Sequence, residues 1–420
     1  MVTNPSQHEE ATYPMRKFVY SLLCALLLTS SLVAPALAQD SPFAPPVICG
    51  DLDAADCSIL EDSAAAMQGV TAYAFDIEYK TFVTGLPEME IESVEITFGA
   101  TGMMEIDPDV VAAMQELTAA SMSGDADTVA AAMEEMTAIL LDFYAGVNFD
   151  GEVYFSVPEE LAAILSEDSD VPMPPDLTFA FRIIDGMFYM QISEFKEFAP
   201  DLEEFPADWI GFDLVGLMEQ SMAQSEGGEF DAESMTAGLV GTALAYQLID
   251  AMEPFVTVER LDDADLDGQS GAVFHSSVDM VEFFSSDAFA AFVRDGAAAI
   301  GADDAETTAQ LDEGLTMAGF LAPMIFGGME IDNQVTIGVD DLYQYGQDFV
   351  FRWDLSQLLG FAAMSDPSIA EALGDAEPLI EFMLTAAYDQ FGAEFEFAAP
   401  DDVQIIPLDE MSPDGVDAVF

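Results

Sequence analysis

The 420-residue chain carries 80 acidic side chains against 8 basic ones, a formal net charge of −72, and 51% of its residues are hydrophobic. A field of that sign repels phosphate, which excludes nucleic acid and anionic lipid headgroups as partners. The apolar half is large enough to bury a sizeable core, so the charge does not signal disorder.

Met15-Arg16-Lys17 forms a basic n-region, Phe18 to Leu28 an apolar core, and Ala36-Leu37-Ala38 a small-x-small cleavage site. Together they predict a signal peptide over 1–38, a mature N-terminus at Gln39 and a functional start at Met15. An apolar core of about a dozen residues falls short of the roughly 20 that span a bilayer. Leu23 before Cys24 and Ile48 before Cys49 do not make a lipobox, so no stable membrane anchor is expected and the product is expected to be secreted and soluble. The expected organisation is an N-terminal segment at 39–60, one domain at 61–410 and a tail at 411–420. Cys49 and Cys57, eight apart in an exported chain, are expected to form a local disulfide.

A short helix is expected at Ser58 to Gly69. In Tyr73, Phe75, Ile77 and Tyr79 apolar residues then alternate with polar or small ones, the period of a half-buried strand. A second alternation, from Met89 and Ile91 to Val94, Ile96 and Phe98, shifts parity and suggests a bulge near Glu92-Ser93. Spacings of three and four through Val129, Met133, Met136, Leu140 and Phe143 predict helix over 109–145, broken near Gly124. Strands follow at Gly151 to Val157 and Leu177 to Ile184, the latter turning through Asp185-Gly186 into Met187 to Ile192. Ala237 to Met252 reads as helix and Val256 to Met280 as a hairpin around Asp267-Gly268. Val281 to Ile300 and Leu311 to Phe326 read as helices, and Glu330 to Val339 and Gln347 to Leu355 as a strand pair. Leu358 to Phe391 is expected to be helical and Phe395 to Leu408 extended. Hairpins with interposed helices mean α+β rather than a doubly wound sheet.

Catalytic signatures are missing. Asp263-x-Asp265-x-Asp267-Gly268 matches half of a calcium loop, but its twelfth position is Phe274, which fits a polar hairpin tip better. His275 is the one histidine of the expected mature chain, and neither HExxH nor GxSxG occurs. No phosphate cradle is present, so no nucleotide cofactor, and no cofactor at all, is expected. An enzyme is not expected. What remains is an apolar inventory rich in Met, whose flexible thioether adapts to varied apolar ligands.

Several segments carry a resemblance: Ser63 to Tyr73, Ile184-Asp185-Gly186-Met187-Phe188-Tyr189-Met190, Trp209 to Asp213, Val256 to Arg260 leading through Asp267-Gly268-Gln269 to Asp279, and Ala399 to Leu408. In these the chain resembles the exported lipid- and lipoprotein-carrier superfamily of LolA, LolB and the mycobacterial LppX/LprG-type lipoproteins. The resemblance implies a curved antiparallel β half-barrel covered by helices on its concave face, closing over an apolar cavity. The lipobox cysteine of the anchored members is missing, and the insertions at 109–145 and 281–326 are long.

The expected function is therefore a carrier for a lipid acyl chain or another hydrophobic small molecule. Its lining would come from Tyr73, Phe75, Ile77 and Tyr79, from Phe179, Phe181, Phe188 and Met190, and from Phe351 and Trp353. The alternative is an acidic extracellular structural or cation-interacting surface protein without a ligand cavity.

Overall fold

The computed structural model describes residues 47–85, 93–122, 138–166, 174–197, 206–225, 247–266, 268–299, 305–365 and 377–408. The expected signal peptide, most of the expected bulge, the helix break at Gly124, the first ten residues of the helix expected from Ala237, and the tail lie outside them. Among the described residues no helix is long and apolar enough to cross a membrane.

Thirteen strands form a single open, curved sheet. In chain order they are β1 Ala72–Thr84, β2 Ser93–Ile106, β3 Val147–Ser156, β4 Asp176–Ile184, β5 Met187–Gln191, β6 Trp209–Asp213 and β7 Val256–Arg260. The remainder are β8 Ala264–Leu266, β9 Gln269–Val278, β10 Met329–Gly338, β11 Gln344–Asp354, β12 Leu379–Asp389 and β13 Val403–Ile405. The helices are α1 Ala54–Gln68, α2 Pro108–Met122, α3 at 138–146, α4 Glu159–Ser166 and α5 Leu214–Ser225. They continue with α6 at 247–252, α7 Met280–Phe284, α8 Asp287–Ala299, α9 Ala305–Phe326 and α10 Ser356–Ser365. Across the sheet the order is β13-β6-β5-β4-β3-β2-β1-β12-β11-β10-β9-β7, with β8 beside β9 off this path. Every pairing is antiparallel except that of β13 with β6. This is the expected α+β class, with one parallel edge that the sequence did not announce.

The largest departure is at the centre. The segment expected to be helical from Leu358 to Phe391 begins as α10, but Leu379–Asp389 is β12, paired on both sides by β1 and β11. Ile380, Phe382, Leu384 and Ala386 are buried and alternate with less buried neighbours, the signature of a strand. Leu, Glu, Met and Ala favour helices in isolation, and two flanking ladders override that preference here. The helix expected over 281–300 is split into α7 and α8. Ser286 sits at the break, donating its hydroxyl to the Phe283 carbonyl (2.6 Å) and accepting from the Phe289 N–H (3.1 Å). At the other end of the chain the α1 helix starts four residues earlier than expected, because the Asp53 carboxylate caps the N–H groups of Ala55 and Asp56. The Asp185-Gly186 hairpin is as expected: both residues have positive φ, 51° and 77°, as a primed two-residue turn requires.

Register divides the sheet into two chemically distinct faces. Starting from Tyr73, Phe75, Ile77 and Tyr79 on β1, the cross-strand partners on the same side are overwhelmingly apolar from β6 to β7. The opposite side carries Asp76, Glu78, Glu105, Asp150, Glu152, Asp348 and Glu381 among other acids. Among the described pairs, none sets one carboxylate directly opposite another. Acids face neutral residues, from Thr, Ala and Gly to Phe82, Met103 and Val350, or a cation as in Asp150 with Arg182 and Glu381 with Arg352.

Candidate ligand-binding face

All ten residues expected to line a ligand site fall on the apolar face. Tyr73, Phe75, Ile77 and Tyr79 lie on β1, Phe179 and Phe181 on β4, Phe188 and Met190 on β5, and Phe351 and Trp353 on β11. Period two fixes this: residues of one parity on a strand share a face, and register hands that face to the next strand.

The rings join across the strands. One row runs from Tyr388 to Tyr73 (6.0 Å between centroids), Phe75 (6.3 Å), Phe149 (5.8 Å), Phe181 (4.4 Å, stacked), Phe188 (6.1 Å) and Phe212 (5.0 Å). Two glycines make room for it. A Cβ on Gly151 would sit 2.6 Å from the Phe149 ring, and one on Gly102 would meet the Asp150 carbonyl at 2.7 Å and the Phe75 ring at 3.3 Å. A second row links Phe98, Tyr79, Phe382 and Phe349 at 5.9 to 6.2 Å. Each such pair contributes roughly 0.5–1.5 kcal/mol beyond the area it buries.

Packing is uneven along these rows. Phe149, Phe382 and Leu384 are buried, whereas Phe75, Tyr79, Phe181, Phe188, Phe351 and Trp353 keep part of their surface open and Phe98 is 40% exposed. Burial raises the phenol pKa values of Tyr73 and Tyr79, and pushes Tyr388 up to about 12.

Helices meet this face at both ends of the β9–β11 region. Leu52, Ile59 and Leu60 pack on Ala272, Phe274 and Ile337, seating α1 over β9 and β10. The Cys49–Cys57 disulfide forms as expected, with Cα atoms 5.3 Å apart, and closes the loop into α1. Arg260 holds the same helix from the sheet: its guanidinium lies 4.9 Å over the Phe274 ring, 3.6 Å from Asp56 on α1, and against Asp263. Near the far end of β11 the Trp353 indole donates to the Ile325 carbonyl of α9 at 2.9 Å. Phe284 of α7 stacks on Phe326 of α9 at 3.8 Å, and Arg294 of α8 pairs with Asp312 of α9 at 2.8 Å, so the three helices form one unit.

The other sequence candidates resolve into structure. His275 lies on the acidic face with Nε2 3.0 Å from the Asp332 Oδ1 across the β9–β10 ladder. Asp263 accepts from Ser270 (2.8 Å) as well as Arg260, and Asp265 accepts the Gly268 N–H (2.7 Å), so both carboxylates are engaged at the β8–β9 hairpin, while Asp267 lies outside the described residues. Among the described residues the one group of three Cys, His, Asp or Glu ligand atoms close enough to share an ion is Cys49, Cys57 and Glu61, and the disulfide takes both sulfurs.

The sequence reasoning missed Phe149, Phe212, Phe349, Phe382 and Tyr388. Phe149 was within reach, since its alternation with Gly151 and Val153 extends the expected strand by four residues. Phe382 and Tyr388 were hidden by the misread helix.

No protein-family model matches the chain, and no curated protein matches it. Among solved structures it is similar to LprF from Mycobacterium bovis, with a TM-score of 0.27 and 11% identity over 84% of this chain and 99% of that one. It is also similar to the Mycobacterium tuberculosis lipoprotein LppX, with a TM-score of 0.25 and 8% identity over 83% of this chain and 100% of that one. The fold rests on its own strand order and register.

Proposed function

We propose that the protein is an exported carrier that holds a lipid acyl chain or similar hydrophobic group between the apolar face of its sheet and the helices over it. One observation carries this reading: a largely apolar face across the sheet, whose rings on β1, β4, β5 and β11 stay partly open while Phe149 on β3 and Phe382 on β12 are buried. A sheet whose face served only as core would seal these rings, because every open aromatic forfeits burial worth about 25 cal/mol per Å². Export is supported by the n-region, apolar core and cleavage site at 15–38. The binding itself requires no covalent chemistry.

Native mass spectrometry and solvent extraction of protein purified from its own host test the proposal. The expected result is a co-purifying apolar molecule. Repeated recovery of ligand-free protein, together with no uptake of added acyl probes, would refute it.

A further inference from the structure

A polar patch interrupts the apolar face where β9, β10 and β11 meet. Ser276, Asn333, Gln344 and Gln347 all point to that side, in register with Phe349, Val335 and Ile337. Their amides form a chain. Gln347 Nε2 donates to Asn333 Oδ1 at 3.0 Å, and Gln344 Nε2 donates to Gln347 Oε1 at 3.4 Å. The Ser276 hydroxyl donates to the Asn333 carbonyl at 3.3 Å. Gln344 and Gln347 are each only 6% exposed. Burying amides is unfavourable unless their groups are bonded, so their presence on an apolar surface calls for a reason.

The hydrogen-bond inventory shows what is left over. Each amide has two N–H donors and one acceptor oxygen. Because Gln347 occupies Asn333 Oδ1, the amide of Asn333 is oriented, and among the described residues its Nδ2 donors have no partner; at the other end Gln344 Oε1 has none among them either. Neither atom is sealed from solvent, since Gln269 Nε2 is the side-chain atom among the described residues that is both shut in and unpartnered. The chain therefore ends in an open donor on an otherwise apolar face. Phe349, directly opposite Asn333, begins the row that continues through Phe382 and Tyr79 to Phe98.

We propose that Asn333, held by Gln347, receives a neutral carbonyl, the ester or amide at the polar end of the acyl ligand, while the alkyl part lies along the Phe349–Tyr79 row. This rests on the carrier reading above. Neutrality follows from charge: Arg260 is the one described basic residue on this face, and Asp56, Asp263 and the Phe274 ring already engage it. A carboxylate or phosphate would enter a chain of net charge −72 with no unengaged cation among the described residues of this face to meet it.

The test uses the full chain and three matched pyrene-labelled probes: a neutral acyl ester, the same molecule with an ether in place of the ester, and the free fatty acid. The ester is expected to bind about three- to tenfold more tightly than the ether, the range one net hydrogen bond supplies, and the fatty acid more weakly than the ester. The ester carbonyl stretch should shift to lower frequency when bound. Asn333→Leu should abolish both the preference and the shift, and Asn333→Asp, which keeps an acceptor for Gln347 while removing the amide donor and adding a negative charge, should abolish them as well. Equal binding of ester and ether by the unaltered protein, an unshifted carbonyl, or tighter binding of the fatty acid would overturn this proposal and leave the carrier reading standing. Binding of none of the three would overturn both.

Discussion

Phe149→Ala probes whether the apolar face is a packed aromatic row or a loose collection of rings. Phe149 is 7% exposed, stacks on Phe181 at 4.4 Å and 12°, and lies 5.8 Å from Phe75. Truncating a buried Phe costs about 3–5 kcal/mol, and the spread reflects how far the site can collapse. Collapse is poor here: the neighbouring Gly151 has no side chain to move in, and β3 is pinned by ladders to β2 and β4. The loss should lie toward the upper end, about 4 kcal/mol, a large share of the roughly 5–15 kcal/mol that stabilises a typical domain. Urea titration should show a lower midpoint at unchanged slope. A cycle with Phe181→Leu should yield about 1 kcal/mol of coupling. Phe98→Ala, at an exposed ring, should lower stability by under 1 kcal/mol yet weaken binding of an apolar probe. A Phe149→Ala loss below about 1.5 kcal/mol with no coupling would refute the packed row.

Three further outcomes are expected. Replacing Cys49 and Cys57 by Ser should lower stability by about 2.5 kcal/mol in the chain-entropy model and speed amide exchange in α1, as read by thermal melts and exchange mass spectrometry; an unchanged melt would show the bridge to be dispensable. Arg260→Lys should cost about 1–2 kcal/mol in urea titrations, because an ammonium cannot both stack on Phe274 and fork to two carboxylates, and full retention of stability would contradict that role. Tyr388 titrates near 12 when folded and near 10 when unfolded, so its stabilising contribution is complete below pH 10 and is lost as pH rises from 10 to 12. Absorbance at 295 nm should show phenols still protonated at pH 10.5 in the folded protein but not in urea, and complete ionisation of the folded protein there would sink the assignment.

Local pattern carried much of the fold. The alternation in β1 and the Asp185-Gly186 turn were readable because period two and a positive-φ dipeptide are properties of adjacent residues. Parity then placed all ten expected lining residues on one face, even without knowledge of which strands were neighbours. β12 was opaque for the opposite reason: Leu379–Asp389 has helix-favouring residues, and its strand character comes from β1, almost 300 residues earlier, and from β11. β13 is three residues held by a parallel ladder to β6 and by the Arg182 bond to the Ala398 carbonyl (3.0 Å), neither of which leaves a periodic trace. The amide patch was illegible as well. Asn333, Gln344 and Gln347 look like ordinary strand and turn polars until pairing brings them together.

The separation of carboxylates across the strands acts as a guard on alignment. Sliding a strand by two residues keeps its apolar side inward, so hydrophobicity alone does not forbid the error. Charge does. Such a slip of β1 against β12 in one direction would set Asp76 opposite Asp389, and of β2 against β3 would set Glu105 opposite Asp150. Between β10 and β11 both directions fail, one joining Glu330 to Asp354 and the other Asp332 to Asp348. Each misaligned pair is repulsive, and strong salt screens the repulsion. The acidity that makes the chain so unusual in composition thus doubles as an error-checking code for a sheet of long strands, one whose discrimination weakens as ionic strength rises.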